Sequence, residues 1–226
     1  HDWPPLIVAD SNSPAALDAM VARTQVICTT VGPPYLKYGE ALVVAAATAG
    51  TDYVDLTGEV PPFVRYSIDK AHDTAVASGA RIVHSCGFDS VPSDLTTYAL
   101  YKKVAEDGGA GEMTDTTLVV KSMRGGLSGG TIDSMRVIAD EARNSQARRL
   151  MLNPQALSGG PGEVPRVSMS DEPSDLSIIS AKKVDPLAAR HPRPRSSWRH
   201  TTPGSFVVRM RCWTTPTART SITRRR

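Results

Sequence analysis

Apolar positions along the first hundred residues alternate between two rhythms, short runs of four to six and longer stretches with helical spacing. Leu6 to Ala9 is a short apolar run that predicts a buried strand. Ser13-Pro14, ahead of Ala15, Leu17, Met20 and Val21, reads as an N-cap, a first-turn proline and an amphipathic helix. The pattern then repeats. Gln25 to Thr30 is a β-branched run, Tyr38 to Ala49 an alanine-rich helix closed by Gly50, and Tyr53 to Leu56 a third strand. A helix from about Phe63 to Ala77 stops at Gly79, and Arg81 to His84 gives a fourth strand. Pro92 to Ala105 predicts another helix, with Pro92 near its first turn and Asp94 placed to complement the macrodipole. Strands separated by helices at roughly 20 to 30 residues are the rhythm of right-handed βαβ units, so the predicted class is α/β with a parallel sheet. Further on, an apolar run at Leu118 to Val120 and a helical pattern at Ile132 to Ala142 flank the glycine-rich stretch Gly125 to Thr131.

Composition narrows the class. The 226 residues suffice for one ordinary domain or two small ones. With 40% hydrophobic residues and no run near the roughly 18 apolar residues a membrane span needs, a soluble globular protein is expected. Cys28, Cys86 and Cys212 form no paired C-x-x-C spacing and leave an odd number, which argues against a disulfide framework and a structural zinc site; no metal is expected, and a reducing cytosol fits. The first residue is His1, and no basic-then-apolar leader follows it, so the expectation is a truncated start without a secretion signal.

Charge is distributed unevenly. All 23 acidic residues lie at or before Asp185, against sixteen basic ones there, and ten arginines without a lysine follow. A cationic end of this kind can hold nucleic acid through salt-sensitive phosphate contacts. Against that reading, the segment carries Trp198, Phe206, Trp213 and five prolines where such arms carry Lys, Gly and Ser. No apolar period continues past about residue 186, and disorder is expected there.

In open parallel sheets ligands sit outside the carboxyl ends of the strands, so the chemistry is sought in the segments after each strand. These are Thr29-Thr30-Val31-Gly32-Pro33-Pro34-Tyr35, Thr57-Gly58-Glu59 and Ser85-Cys86-Gly87-Phe88-Asp89-Ser90. Glycines there let a backbone approach a planar ring or phosphate, or they punctuate turns. Asp89 and Ser90 can orient a carbonyl or relay a proton, or can cap the helix that begins near Pro92. Glu59 can accept a hydrogen bond from a ribose or substrate, or sit solvated in a first turn. Cys86 with His84 would make a nucleophile pair only if the thiol pKa were lowered, and a small buried cysteine is the commoner case. Gly125 to Thr131 is the one local candidate for a phosphate cradle, although it fits neither a P-loop nor G-x-G-x-x-G.

The strings TVGP, YLKYGE, AGTDYVDLTGE, GARIVHSCGFDSVPSDL and GGLSGGTIDSM resemble the saccharopine dehydrogenase-like oxidoreductases, and within them the mycobacterial trans-acting enoyl reductase branch, from about Trp3 to Arg149. That resemblance implies a partial Rossmann domain over 1–95, a second, substrate-binding α/β domain over 96–185, and an aberrant Arg-rich tail over 186–226. It implies NADPH as cofactor and reduction of a double bond on a lipid or polyketide acyl chain, carrier-bound, in glycolipid assembly. It further implies a cytoplasmic protein with peripheral association at the plasma membrane and no nucleic-acid partner. Thr30, Val31, Gly32 and Pro33 then stand on the nicotinamide side, with Gly87 and Phe88 as further cofactor contacts and Asp10 at the adenine edge. Asp89 and Ser90 are the catalytic candidates, and the Gly125 to Thr131 stretch belongs to the substrate domain.

Two departures from the family pattern shape the expectations. Its G-x-x-G-x-x-G loop, whose amides hold the pyrophosphate, has no counterpart before Trp3, so weakened cofactor binding is expected. Pro33-Pro34 inserts one residue into the TVGP segment, and Pro61-Pro62 is similarly lengthened. At the far end, relatives continue with a stretch resembling MA-x-x-NTRIVRR where this chain has Trp198 to Arg209. Reading the codons one base back from Trp198 restores Met-Ala and then Asn-Thr-Arg-Ile-Val-Arg, so the tail is expected to be a shifted reading frame. The rival reading is a non-catalytic remnant of such an enzyme, and a third is an Arg-tailed nucleic-acid-binding module.

Overall fold

The computed structural model describes residues 5–32, 34–107, 116–120, 126, 128–153, 156–157, 159–164, 176–180 and 206–210. It has two compact units. One comprises His1–Pro92 with Gly126–Asp171, the other Ser93–Gly125 with Glu172–Arg226.

The first unit is the expected βαβ sheet. Helix α1 (Pro14–Val21) opens with Ser13, whose hydroxyl accepts from the Ala16 amide, and with Pro14 in the first turn. Strand β1 (Val26–Cys28) leads through a single helical turn, α2 (Tyr35–Tyr38), into α3 (Glu40–Ala49). Gly50 ends α3 in the left-handed conformation, φ 72°, its amide bonded back to Ala46. Strand β2 (Asp52–Val54), helix α4 (Arg65–Ser78) and strand β3 (Ile82–Val83) follow. The strands run parallel in the order β1-β2-β3, with Ile27 opposite Tyr53 and Tyr53 opposite Ile82. The α/β, partial Rossmann-like class read from the sequence is therefore the observed one.

The core lies between this sheet and its helices, from Leu17, Val21, Leu42, Val43, Tyr53, Phe63, Ala71 and Ala75. Ala45, Ala46 and Ala47 on α3 let α4 approach closely, with Ala71 and Ala75 facing it from the other side. Gly39 separates α2 from α3 for a steric reason: a Cβ there would stand 2.9 Å from the Phe63 ring. Where a single helix from Phe63 was expected, a π turn over Val60–Val64 comes first, absorbing one residue more than α geometry accommodates. Pro61 and Pro62 sit in its first turn, where missing N–H groups cost nothing.

Three expectations are corrected. Leu6 to Ala9 forms no strand: Leu6 and Val8 are each 99% exposed, and no ladder partner lies beside them among the described residues. An extended segment becomes a strand only when a neighbour takes its backbone groups. Second, part of the segment expected in the second domain packs with the first unit. Helices α6 (Gly129–Glu141) and α7 (Ser145–Met151) belong there, tied by Ser134 Oγ donating to Glu59, Arg65 donating to Gly160 O, and Gly162 N donating to Asp69. Third, Phe206–Met210, in the tail expected to be disordered, is a strand, as its apolar and β-branched composition favours.

That strand, β6, is central in the second unit's antiparallel sheet, between β4 (Thr116–Val120) and β5 (Leu176–Ser180). Val208 stands opposite both Leu118 and Ile178. Helix α5 (Val91–Glu106) leads into this unit. The rest of the Arg-rich tail, with the reading-frame expectation attached to it, lies outside the described residues.

Candidate functional site

The alternation of β2 continues after its ladder ends. Tyr53, Asp55, Thr57 and Glu59 are all buried, whereas Leu56 and Gly58 between them are exposed. A face that should be apolar thus carries a carboxylate, a hydroxyl and a second carboxylate, and each is satisfied by hydrogen bonds.

Asp55 is the hub. One carboxylate oxygen accepts from the amides of Thr57 (3.1 Å) and Ser85 (2.9 Å); the other accepts from the Tyr53 hydroxyl (3.0 Å) and meets His84 Nδ1 at 2.7 Å. Burial acts to raise its pKa, but the bonds from His84, Thr57 and Ser85 and the attraction of His84 outweigh it and hold the carboxyl below its ordinary range. Burial, then the adjacent Asp55 charge, push the Tyr53 phenol far upward. His84 Nε2 lies 2.8 Å from Ser67 Oγ on α4, and the imidazole packs edge-on to the rings of Phe63 and Tyr53. Ser85 adopts φ +56°, while its hydroxyl donates to Thr57 O and the next amide, Cys86 N, donates to Asp55 O at 2.7 Å. The loops that follow β2 and β3 are thereby stitched together.

Glu59 stitches a third loop. Fully buried, its carboxylate accepts from Tyr35 N (2.9 Å) and Leu36 N (3.0 Å) at the start of α2, and from Ser134 Oγ (2.8 Å) on α6. It is thus neither a solvated first-turn acid nor a group available to a ribose. The loop after β1 is held besides by Tyr35 Oη donating to Thr29 O and by Val31 N donating to Thr29 Oγ1.

On this frame the sequence-predicted residues fall into distinct groups. Thr30 and Val31 are exposed beyond β1, next to Gly32, whose φ of +140° only glycine adopts freely. Pro33 lies outside the described residues. Beyond β3, Gly87 carbonyl accepts from the amides of Ser90 and Val91 and so starts α5, Asp89 is exposed, and Phe88 is 92% exposed. A Cβ on Gly87 would stand 2.7 Å from Asp89 Oδ1, so the Asp89 carboxylate folds back over the loop. The structure therefore brings Thr30, Val31, Gly32, Gly87, Phe88, Asp89 and Ser90 to one carboxyl edge. Asp10 lies in a turn ahead of α1, where its exposed carboxylate accepts from the Asn12 amide and side chain.

The Cys86–His84 pairing does not form. Both ring nitrogens of His84 are taken, Cys86 Sγ donates toward the carbonyls of Val83 and His84, and desolvation followed by the Asp55 and Cys28 charges push the thiol pKa up. In the Gly125 to Thr131 stretch Ser128 caps α6 by accepting from Thr131 N, and Gly125 and Leu127 lie outside the described residues. Asp55 and Ser67 escaped the sequence reading. The period-two run Tyr53-Val54-Asp55-Leu56-Thr57-Gly58-Glu59 is the signal that could have found Asp55, because it keeps polar residues on one face beyond a strand. Ser67 leaves no such trace, since only the packing of α4 brings it to His84.

A dinucleotide needs a wall for its ring and amides for its pyrophosphate. Exposed Thr30 and Val31 leave space for a ring beside Gly32. The first amides of α2 are spent on Glu59, so that helix start has none to offer a phosphate. At the opposite, amino end of the strands an open cleft of about 490 Å³ is lined by Thr24, Thr51, Asp52 and Arg81, away from the strand-end loops. Among the described residues no cluster of His, Cys, Asp or Glu is arranged for a metal ion, and no helix is long and apolar enough to cross a membrane.

Relatives with names share this chain's sequence. A Mycobacterium tuberculosis protein provisionally named a trans-acting enoyl reductase is 56% identical over 166 residues, 73% of this chain and 39% of its own length. The trans-acting enoyl reductase of Mycobacterium bovis BCG is 48% identical over 171 residues, 74% of this chain and 39% of its own, and that of Mycobacterium leprae 50% over 160 residues, 70% and 37%. No family model matches the chain, and no solved structure matches it. The chain spans about two fifths of the curated relatives it matches, and over some three quarters of its own length it is homologous to proteins named trans-acting enoyl reductases.

Proposed function

We propose that this chain serves NAD(P)H-dependent reduction of a carbon–carbon double bond in a lipid or polyketide acyl chain, carrier-bound, during glycolipid assembly. The observation that carries the reading is the convergence of three strand-end loops on one carboxyl edge, in a chain about half identical to named enoyl reductases.

NADPH, when bound, supplies a hydride to the β-carbon of the conjugated bond. Thr30, Val31 and Gly32 with Gly87 and Phe88 hold its ring, and the backbone at Gly32 allows close approach. Asp89 and Ser90 orient the conjugated carbonyl and hold the proton destined for the α-carbon, so that charge developing on the enolate meets polar groups already in place. The acyl chain meets Phe88, an apolar side chain nearly fully exposed in the loop after β3. An exposed apolar side chain of this kind suits a cytoplasmic protein that touches a membrane surface peripherally.

The test is titration of the purified chain with NADPH, then with crotonyl-coenzyme A as a short conjugated thioester, following loss of the reduced-nicotinamide absorbance. Saturable micromolar binding with turnover is the expected result. Absence of both favours a non-catalytic remnant, a rival to which the closed helix start at α2 lends weight.

A further inference from the structure

Asp55, His84 and Ser67 form a chain of connected groups: carboxylate to Nδ1 at 2.7 Å, Nε2 to hydroxyl at 2.8 Å. In hydrolases that connectivity arms a serine nucleophile. Burial excludes that use here. Ser67 is 4% exposed on α4, the Phe63 ring stands against the imidazole, and no acyl group has a path to the hydroxyl. His84 cannot touch a substrate either, because both of its nitrogens are engaged. Each ring nitrogen thus has its own partner, which fixes the ring from two sides.

What the array reaches is the backbone beyond it. The carboxylate that clamps His84 with one oxygen holds the Ser85 amide with the other. Ser85 sits at φ +56°, a conformation a non-glycine residue keeps only when its surroundings impose it. Two residues on, Gly87 lies under the Asp89 carboxylate, so the direction of Asp89 is inherited from this stretch of backbone.

We propose that His84, clamped between Asp55 and Ser67, is a positioning residue that sets the Ser85–Ser90 loop, and through it Asp89 and Ser90, for the protonation step of the reduction. The reaction named here rests on the reductase reading above; the clamp itself does not.

The experiment compares His84→Asn, whose amide nitrogen replaces Nδ1, with His84→Gln, whose amide replaces Nε2, and with Asp55→Asn, all in the full chain. Amide hydrogen exchange at Ser85 and Cys86 is the readout independent of activity: it should speed up roughly tenfold in His84→Gln and Asp55→Asn and stay near wild type in His84→Asn. For crotonyl-coenzyme A reduction, kcat should fall roughly tenfold or more in His84→Gln with the NADPH KM within about twofold, and recover in His84→Asn. Unchanged exchange in His84→Gln overturns the clamp. Faster exchange with unchanged kcat overturns positioning and leaves a purely structural bond. If wild type shows no turnover, the reductase reading fails and the exchange pattern alone decides the clamp. Should His84→Gln fail to fold, judged by circular dichroism, Asp55→Asn weakens the same Asp55–His84 bond while keeping the imidazole, and protected Ser85 and Cys86 amides there overturn the proposal.

Discussion

The two flanks of the parallel sheet are built on opposite terms. At the β2–β3 side Asp55, Thr57 and Glu59, beyond β2, are polar, buried and hydrogen-bonded, with Asp55 taking four partners and Glu59 three. On β1, just beyond it and in the segment ahead of α1, apolar residues stand exposed: Val26 and Val31 are about half in water, and Leu6 and Val8 almost fully. Polar groups removed from water must find each other, so the first flank has one admissible geometry. Exposed apolar side chains impose no partner, and the second flank contributes little to stability as it stands. Shape at the candidate site is therefore set from one side of the sheet.

Breaking that asymmetry on the buried side should give the largest effect. Asp55→Ala strands four donors, His84 among them, and should lower stability by about 3–5 kcal/mol in urea unfolding. A loss under about 1 kcal/mol would mean that the hub carries no load. Phe63→Ala empties a site shared by Gly39, Tyr35 and His84, and about 3–4 kcal/mol should go with it, read from the same unfolding midpoint.

A smaller loss, about 1–3 kcal/mol, is expected of Glu59→Gln. Both carboxylate oxygens accept hydrogen bonds, so one way round or the other the amide NH2 faces a donor. Cleavage by a protease in the loop before α2 should accelerate accordingly; an unaltered cleavage rate would separate Glu59 from the ordering of that loop.

The pH dependence follows from the depressed carboxyls. Asp55 titrates lower in the folded chain than in the unfolded one, so its contribution is present above the unfolded value of about 4 and is lost as pH falls through the folded value. Asp69 acts in the same direction, through Arg65 first, and is more exposed. The fall in unfolding midpoint between neutral pH and pH of about 3 should therefore be shallower in Asp55→Asn than in wild type. Equal acid sensitivity in the two proteins would rule out Asp55 as its source.

Least should happen on the exposed flank: Leu6→Ser and Val8→Ser together should shift stability by no more than about 0.5 kcal/mol. A larger loss in calorimetry would show that these side chains are covered in solution.

Much of the architecture was legible in the letters. Period and punctuation located α1, α3, α4 and α5 and all three parallel strands within a few residues, because Ser13-Pro14, Gly50 and Gly79 act through their own backbone preferences. Leu6 to Ala9 was misread because strand formation needs a neighbour that a one-dimensional pattern does not contain. The break at Gly39 was invisible for a similar reason, since its cause is the Phe63 ring arriving from 24 positions away. At the candidate site, the glycines and hydroxyls of the strand-end loops were legible as types, whereas the uses of Glu59 and His84 were not.

Local preference, by itself, determined which segments are helices and strands, the α/β class, and which loops follow the strands, since these depend on spacing and backbone sterics within a few residues. Only the tertiary structure decided that Asp55, Ser67 and His84 meet, that Glu59 closes the start of α2, and that α6 returns to the first unit. The physical reason is that a buried charge takes whichever donors packing delivers, and packing joins residues that are far apart in the chain.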